Sequence, residues 1–183
     1  MRNVIMWNII SLDGYFEGTK PWDLPFHLVV WGEELERRSI EQLDGADALL
    51  FGRATYEGMA AHWPTATGAV AERMNRIEKV VFSNTLDAAT WNNSRLVRGE
   101  AADEVERLKR SPGKDLLIFG SAILSGALTR RGLIDEYRIG VAPVILGAGR
   151  PLFAPSEREH RLALMDTSMT KTGCAVLTYR KAG

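Results

Sequence analysis

Short apolar runs that stop at a glycine or small polar residue, with helical spacing starting soon after, constrain this chain's fold most. Val4–Leu12, Ala46–Phe51, Lys79–Phe82 and Asp115–Phe119 are such runs, short enough for buried strands. They are far from the ~20 apolar residues that a membrane span needs. Between and after them, Phe26–Leu43 sets Leu28, Trp31, Leu35, Ile40 and Leu43 at helical spacing. Thr55–Trp63, Ala69–Ile77, Ala101–Arg110 and Ser121–Arg131 read as further helices, and Arg95–Val97 as a short strand. Strands alternating with helices require parallel pairing through crossover helices. Glu136–Val144, Arg161–Thr170 and Cys174–Arg180 finish the chain as extended segments. The last two flank Lys171-Thr172-Gly173 and predict an antiparallel hairpin at a sheet edge. The expected fold class is therefore α/β, a mixed and mainly parallel sheet with helices on both faces and a C-terminal antiparallel hairpin. Its 183 residues suit one domain, 1–183.

Composition narrows the function classes. Lys+Arg and Asp+Glu are both 23, a formal net charge of +0, without the clustered bases that nucleic acid or a membrane surface needs. No nucleic-acid or membrane partner is expected. Cys174 is the one cysteine, and His27, His62 and His160 lie far apart, so no metal site is expected. MRNVIMWNII begins like a secretion signal, but Asn8 interrupts the run and Asp13-Gly14 closes it as a turn. A cytoplasmic location is the expectation.

Ligands on parallel sheets bind at the carboxyl ends of strands, and four such ends carry unusual punctuation. Ile9–Gly14 reads IISLDG, and Leu49–Tyr56 reads LLFGRATY. Val80–Thr85 reads VVFSNT, and Leu117–Ser121 reads LIFGS. At Gly52 and Gly120 a strand meets a glycine and a helix begins, where free N–H groups attract phosphate. Two such junctions suit a ligand with more than one phosphate, although a tight strand end also explains either glycine alone. Neither junction holds GxGxxG or GxxxxGK[ST], and Gly147–Gly149 is followed by Arg150-Pro151 where a helix should start. No GxSxG nucleophile motif occurs, and Glu33-Glu34 read as solvated.

Together these segments resemble the dihydrofolate-reductase-like superfamily, and most of all the C-terminal reductase domain of the riboflavin-biosynthesis deaminase-reductase. SLDG, LLFGRATYE, VVFSNT, LIFGSAIL and DEYRIGVAPVILGAGRPLF carry the resemblance over nearly the whole chain. It implies NADPH as cofactor, with Gly52, Arg53 and Thr55 at its phosphates and Ser83 and Asn84 at its adenosine half, 2′-phosphate included. Gly120, Ser121, Ala122 and Ile123 would meet the pyrophosphate, and Asn8 and Ile9 the nicotinamide. Pro21–Trp31 resembles the flap tryptophan and substrate helix of dihydrofolate reductases, with His27 where those enzymes carry an acidic residue. Dihydrofolate is thus not the expected substrate. The family's Gly-Gly is matched here to Phe119-Gly120.

The resemblance implies hydride transfer to a small heterocyclic or sugar-linked substrate, as in the reduction of 5-amino-6-(5-phosphoribosylamino)uracil. His27 titrates near neutrality when unperturbed and is the candidate catalytic proton donor, packing under the flap being the alternative. Trp7, Trp22, His27 and Trp31 are candidate substrate-binding residues, though core packing explains each tryptophan as well. Cations for a substrate phosphate are few: Arg150 and Arg37 or Arg38. Two other functions stay open, a stand-alone reductase of another pteridine, pyrimidine or carbonyl compound, and a non-catalytic nucleotide-binding dimer. A homodimer is expected, with the apolar stretch Ile139–Leu146 as contact or as an internal strand.

Overall fold

In the computed structural model, which describes residues 1–155 and 159–182, the apolar runs pair into one sheet. β1 (Val4–Ile10) sits near its middle. A short β2 (Tyr15–Glu17) and the helices α1 (Pro25–Val30) and α2 (Glu33–Gly45) lead to β3 (Ala46–Gly52). Then come α3 (Arg53–His62), α4 (Ala69–Arg76), β4 (Glu78–Phe82), β5 (Ser94–Val97), α5 (Ala101–Arg110), β6 (Asp115–Phe119), α6 (Ala122–Arg130) and β7 (Glu136–Val141). The chain continues through β8 (Arg150–Pro151), β9 (Leu162–Met169) and β10 (Ala175–Lys181). The sheet order is β5-β4-β3-β6-β1-β7-β10-β9, with every pair from β5 to β7 parallel and the last two antiparallel. β2 and β8 form a separate small pair.

Alternation along the strands sorts two cores. Ile5, Trp7, Ile9, Leu49, Phe51, Val81, Leu117 and Phe119 pack with side chains of α1 to α4. Val4, Met6, Leu50, Val80, Leu116 and Ile118 pack with those of α5 and α6. Burial on both faces is why these strands read as unbroken apolar runs rather than alternating ones. Among the described residues no helix is long and apolar enough to cross a membrane.

Two expectations change. The helix expected over Phe26–Leu43 is two helices, because Trp31 leaves α1 with an extended ψ of 138° and Gly32 is fully extended. α1 accordingly buries Phe26 and Val30, and Leu28 is 78% exposed. Second, Ile139–Val141 belongs to β7, which lies between β1 and β10, so the start of the suggested dimer stretch is internal. Ile145, later in that stretch, is exposed, and edge strand β9 exposes Leu162, Leu164, Met165 and Met169. SLDG keeps the expected turn, with Gly14 N–H donating to the Ser11 carbonyl at 3.0 Å, and it also clamps the glycine-rich stretch. The Asp13 carboxylate accepts the N–H groups of Leu146 (3.1 Å) and Gly147 (2.8 Å), and Ser11 Oγ accepts that of Tyr15 at 2.9 Å. Hydrogen bonding, from Ser11 first, holds the Asp13 carboxyl below its ordinary range.

Candidate functional site

The carboxyl ends of β1, β3, β4 and β6 open onto one cavity of about 890 Å³. All the residues expected to bind cofactor, act in catalysis or supply aromatic walls line it: Trp7, Asn8, Ile9, Trp22, His27, Trp31, Gly52, Arg53, Thr55, Ser83, Asn84, Gly120, Ser121, Ala122 and Ile123. The cavity has two chemically different ends.

The polar end is built from two helix starts. α3 follows Gly52 and α6 follows Ser121, and neither has a side-chain cap. The hydroxyls of Ser121, the N-cap residue of α6, and of Thr55, in the first turn of α3, link the helices instead. Gly52 N–H donates to Ser121 Oγ at 3.1 Å, and Ser121 N–H donates to Thr55 Oγ1 at 3.0 Å. This reciprocal tie holds the two starts side by side and leaves their first-turn N–H groups without side-chain acceptors. Gly120 (φ +65°) and Ser121 (φ +56°) are both left-handed. A Cβ on Gly120 would also lie 3.1 Å from Thr55 Cγ2. Positive φ favours glycine, which suits Gly120 to this junction, directly after Phe119, the last residue of β6.

Beside these starts, exposed Arg53 donates to Thr85 Oγ1 at 2.9 Å and lies 3.4 Å from Glu57. Ser83 Oγ accepts the N–H groups of Thr85 (3.2 Å) and Leu86 (3.0 Å), shaping the loop after β4. Asn84 Oδ1 accepts Gly99 N–H at 2.7 Å, and Arg98 donates to the carbonyls of Asn84 (3.1 Å) and Leu86 (2.9 Å). Gly99 lines the cavity. The sequence signal for Arg98 and Gly99 was a fifth strand end, after Val97, which went unread.

The aromatic end gathers Trp7 from β1, Trp22 and Leu24 from the following loop, His27 and Trp31 from the α1 segment, and Met59 and Trp63 from the α3 segment. Trp22 has φ +63°, and its N–H donates to Glu17 Oε2 at 3.1 Å. Its indole lies directly on Gly58, where any Cβ would overlap the ring. Glu17 is buried and also meets Arg150 Nε at 3.0 Å. Phe16, Glu17, Met59 and Trp63 line this end and were missed, and Arg150, expected as a cation for a substrate phosphate, lines it too. Gly58, a glycine inside a helix, was the one local sign of a close approach.

Two polar atoms here lack partners: His27 Nε2 and Asn8 Nδ2 are buried without a hydrogen bond. Burial pushes the His27 imidazole down to about 4, with the Ile9 backbone pulling it part of the way back. The expectation that His27 titrates near neutrality is therefore corrected; it is a neutral imidazole at neutral pH. Exposed His62 is at the rim, edge-on to Trp63 with ring centroids 4.8 Å apart. Arg37 lies near Glu41 (3.8 Å) and Arg38 donates to Ser168 Oγ (2.9 Å), and neither lines the cavity. Of the suggested phosphate-binding arginines only Arg150 is at the cavity.

Comparison with known proteins agrees with this architecture. The family model of the RibD C-terminal domain matches residues 2–178. The uncharacterised protein YyaP of Bacillus subtilis is 27% identical over 187 aligned residues, which cover 100% of this chain and 96% of YyaP. A crystal structure from Shewanella sp. PV-4, of a protein assigned to riboflavin biosynthesis, superposes with a TM-score of 0.80 at 22% identity over 99% of each chain. Dihydrofolate reductase from Enterococcus faecalis, solved with NADP(H) and RAB-propyl, superposes at 0.68 with 13% identity, over 99% of this chain and 97% of the enzyme. The fold is dihydrofolate-reductase-like, and the chain belongs to the RibD C-terminal domain family, which is reductase-like.

Proposed function

We propose that the chain is an NADPH-dependent reductase that binds its cofactor along the polar end and its small-molecule substrate at the aromatic end. The observation that carries the reading is the pair of uncapped helix starts tied together by Gly52, Thr55 and Ser121, opening onto the same cavity as the tryptophans. The residues fit a dinucleotide. Unshared N–H donors at two helix starts suit a pyrophosphate, and Gly120 keeps Cβ volume out of the junction. Arg53, Ser83 and Asn84 supply a cation and polar groups for the adenosine half, favouring the 2′-phosphorylated form.

When bound, the reduced nicotinamide supplies the hydride equivalent of the reaction. The chain's own contribution is positioning and exclusion of water. The unpaired Asn8 amide supplies a hydrogen-bond donor at the end of β1. Trp22, held on Gly58, walls the aromatic end. His27 is neutral, so it orients the substrate through Nε2 and holds no spare proton at neutral pH; the proton comes from water at the open mouth. The expected homodimer is supported by the exposed apolar side chains of β9, and a monomer mass in light scattering would remove it.

Thermal unfolding with NADPH, NADH and neither tests the reading. A cofactor at ~100 times its dissociation constant adds about 2.7 kcal/mol, or roughly 5–10 °C in a chain of this length. The expected result is a larger shift with NADPH than with NADH at equal concentration. No shift with either at millimolar concentration overturns the proposal.

A further inference from the structure

We infer that the aromatic end takes an uncharged, planar aromatic substrate, held between tryptophan faces and fixed by one hydrogen bond to His27 Nε2, and not a sugar phosphate. The inference rests on the reductase reading for which end is the substrate end. Four of the chain's five tryptophans, Trp7, Trp22, Trp31 and Trp63, line the cavity. Trp22 and Trp31 keep 41% and 45% of their surface exposed, so a flat ring can cover them without displacing packing already made.

A phosphate at this end finds no free cation among the described residues. The charged side chains are Glu17 and Arg150, paired with each other at 3.0 Å, with Glu17 buried. Arg53 lies at the other end, bonded to Thr85. A phosphorylated sugar would therefore lose water to aromatic rings and a buried carboxylate, with nothing to replace that hydration. A neutral ring avoids this cost. It also satisfies what the site leaves open, since the buried nitrogen of a neutral imidazole either donates or accepts, according to tautomer.

Two probes separate the alternatives. Lumiflavin is a neutral tricyclic ring, and FMN carries the same ring with a ribityl phosphate. Titrations of the purified chain, read by tryptophan quenching, should give lumiflavin an affinity at least about tenfold higher than FMN. Trp31→Ala and His27→Phe should each weaken lumiflavin several-fold while retaining the folded far-ultraviolet dichroism. FMN or ribose 5-phosphate binding as tightly as lumiflavin, or lumiflavin affinity unchanged in both variants, overturns the inference. NADPH-induced thermal shifts on the same preparation keep the two proposals apart. A shift with FMN preferred sinks only the substrate class, and lumiflavin binding with no NADPH shift supports the aromatic site and sinks the reductase reading.

Discussion

The two ends of the cavity are built in opposite ways. At the polar end, each helix start is local: Phe51-Gly52-Arg53 and Phe119-Gly120-Ser121 pass from strand to helix within a few residues. Phosphate binding needs backbone N–H groups in a fixed array, and such a junction supplies them almost without help from the rest of the fold. The aromatic end has no such unit. Trp7, Trp22, His27, Trp31 and Trp63 come from separate segments and meet because α1 and α3 pack on one face of the sheet. Planarity and bulk are general demands, and only tertiary contacts, such as Trp22 on Gly58, make them specific.

Acid should separate the ends most strongly. The folded His27 imidazole sits at about 4 against an ordinary 6.5, so as pH falls the unfolded chain takes up the proton first. Stability tied to the neutral ring is complete above about pH 6.5 and is lost progressively towards pH 4, by roughly 3 kcal/mol. Denaturant unfolding at pH 7 and pH 4 should show this loss, and His27→Phe should reduce it by that amount. An unchanged pH dependence in the variant would mean that the ring is not desolvated.

Next in size is a break confined to the polar end. Gly120→Val puts a branched side chain at φ +65° against Thr55, and NADPH affinity should fall about a hundredfold by fluorescence titration. Lumiflavin affinity should stay within about twofold if the ends are independent. Gly58→Ala makes the converse cut, since its Cβ displaces the Trp22 ring. Lumiflavin should then bind about tenfold more weakly, with NADPH nearly unaffected. The smallest effect is Arg53→Ala, expected to weaken NADPH about fivefold and NADH not at all. Its ion pair with Glu57 is exposed, so the unfolding midpoint should barely move.

The same contrast explains what was legible in the sequence. Buried strands between helices show as apolar runs, so β1, β3, β4 and β6 and the helices after β3 and β6 could be read from spacing. The break between α1 and α2 could not, because Leu28, Trp31 and Leu35 keep helical spacing across it; the extended Gly32 was the only local sign. The reversal of Leu28 from expected core to 78% exposed follows from that break. At the site, the polar-end residues fall in short contiguous motifs, so their grouping could be read locally. Glu17 and Arg150 are 133 positions apart, joined through β2 and β8, and no local pattern records that pairing. His27 was visible as a residue, but its protonation depends on burial, which a single sequence does not display.

The most direct test of the central claim, one cavity with a dinucleotide along the polar end and its nicotinamide among the tryptophans, is energy transfer. The wild-type chain is titrated with NADPH, tryptophan is excited, and emission from the reduced nicotinamide is followed. The account predicts saturable loss of tryptophan emission with matching sensitised nicotinamide emission, both absent in Gly120→Val at the same concentrations. Binding of NADPH without sensitised emission, or an undiminished signal in Gly120→Val, would contradict it.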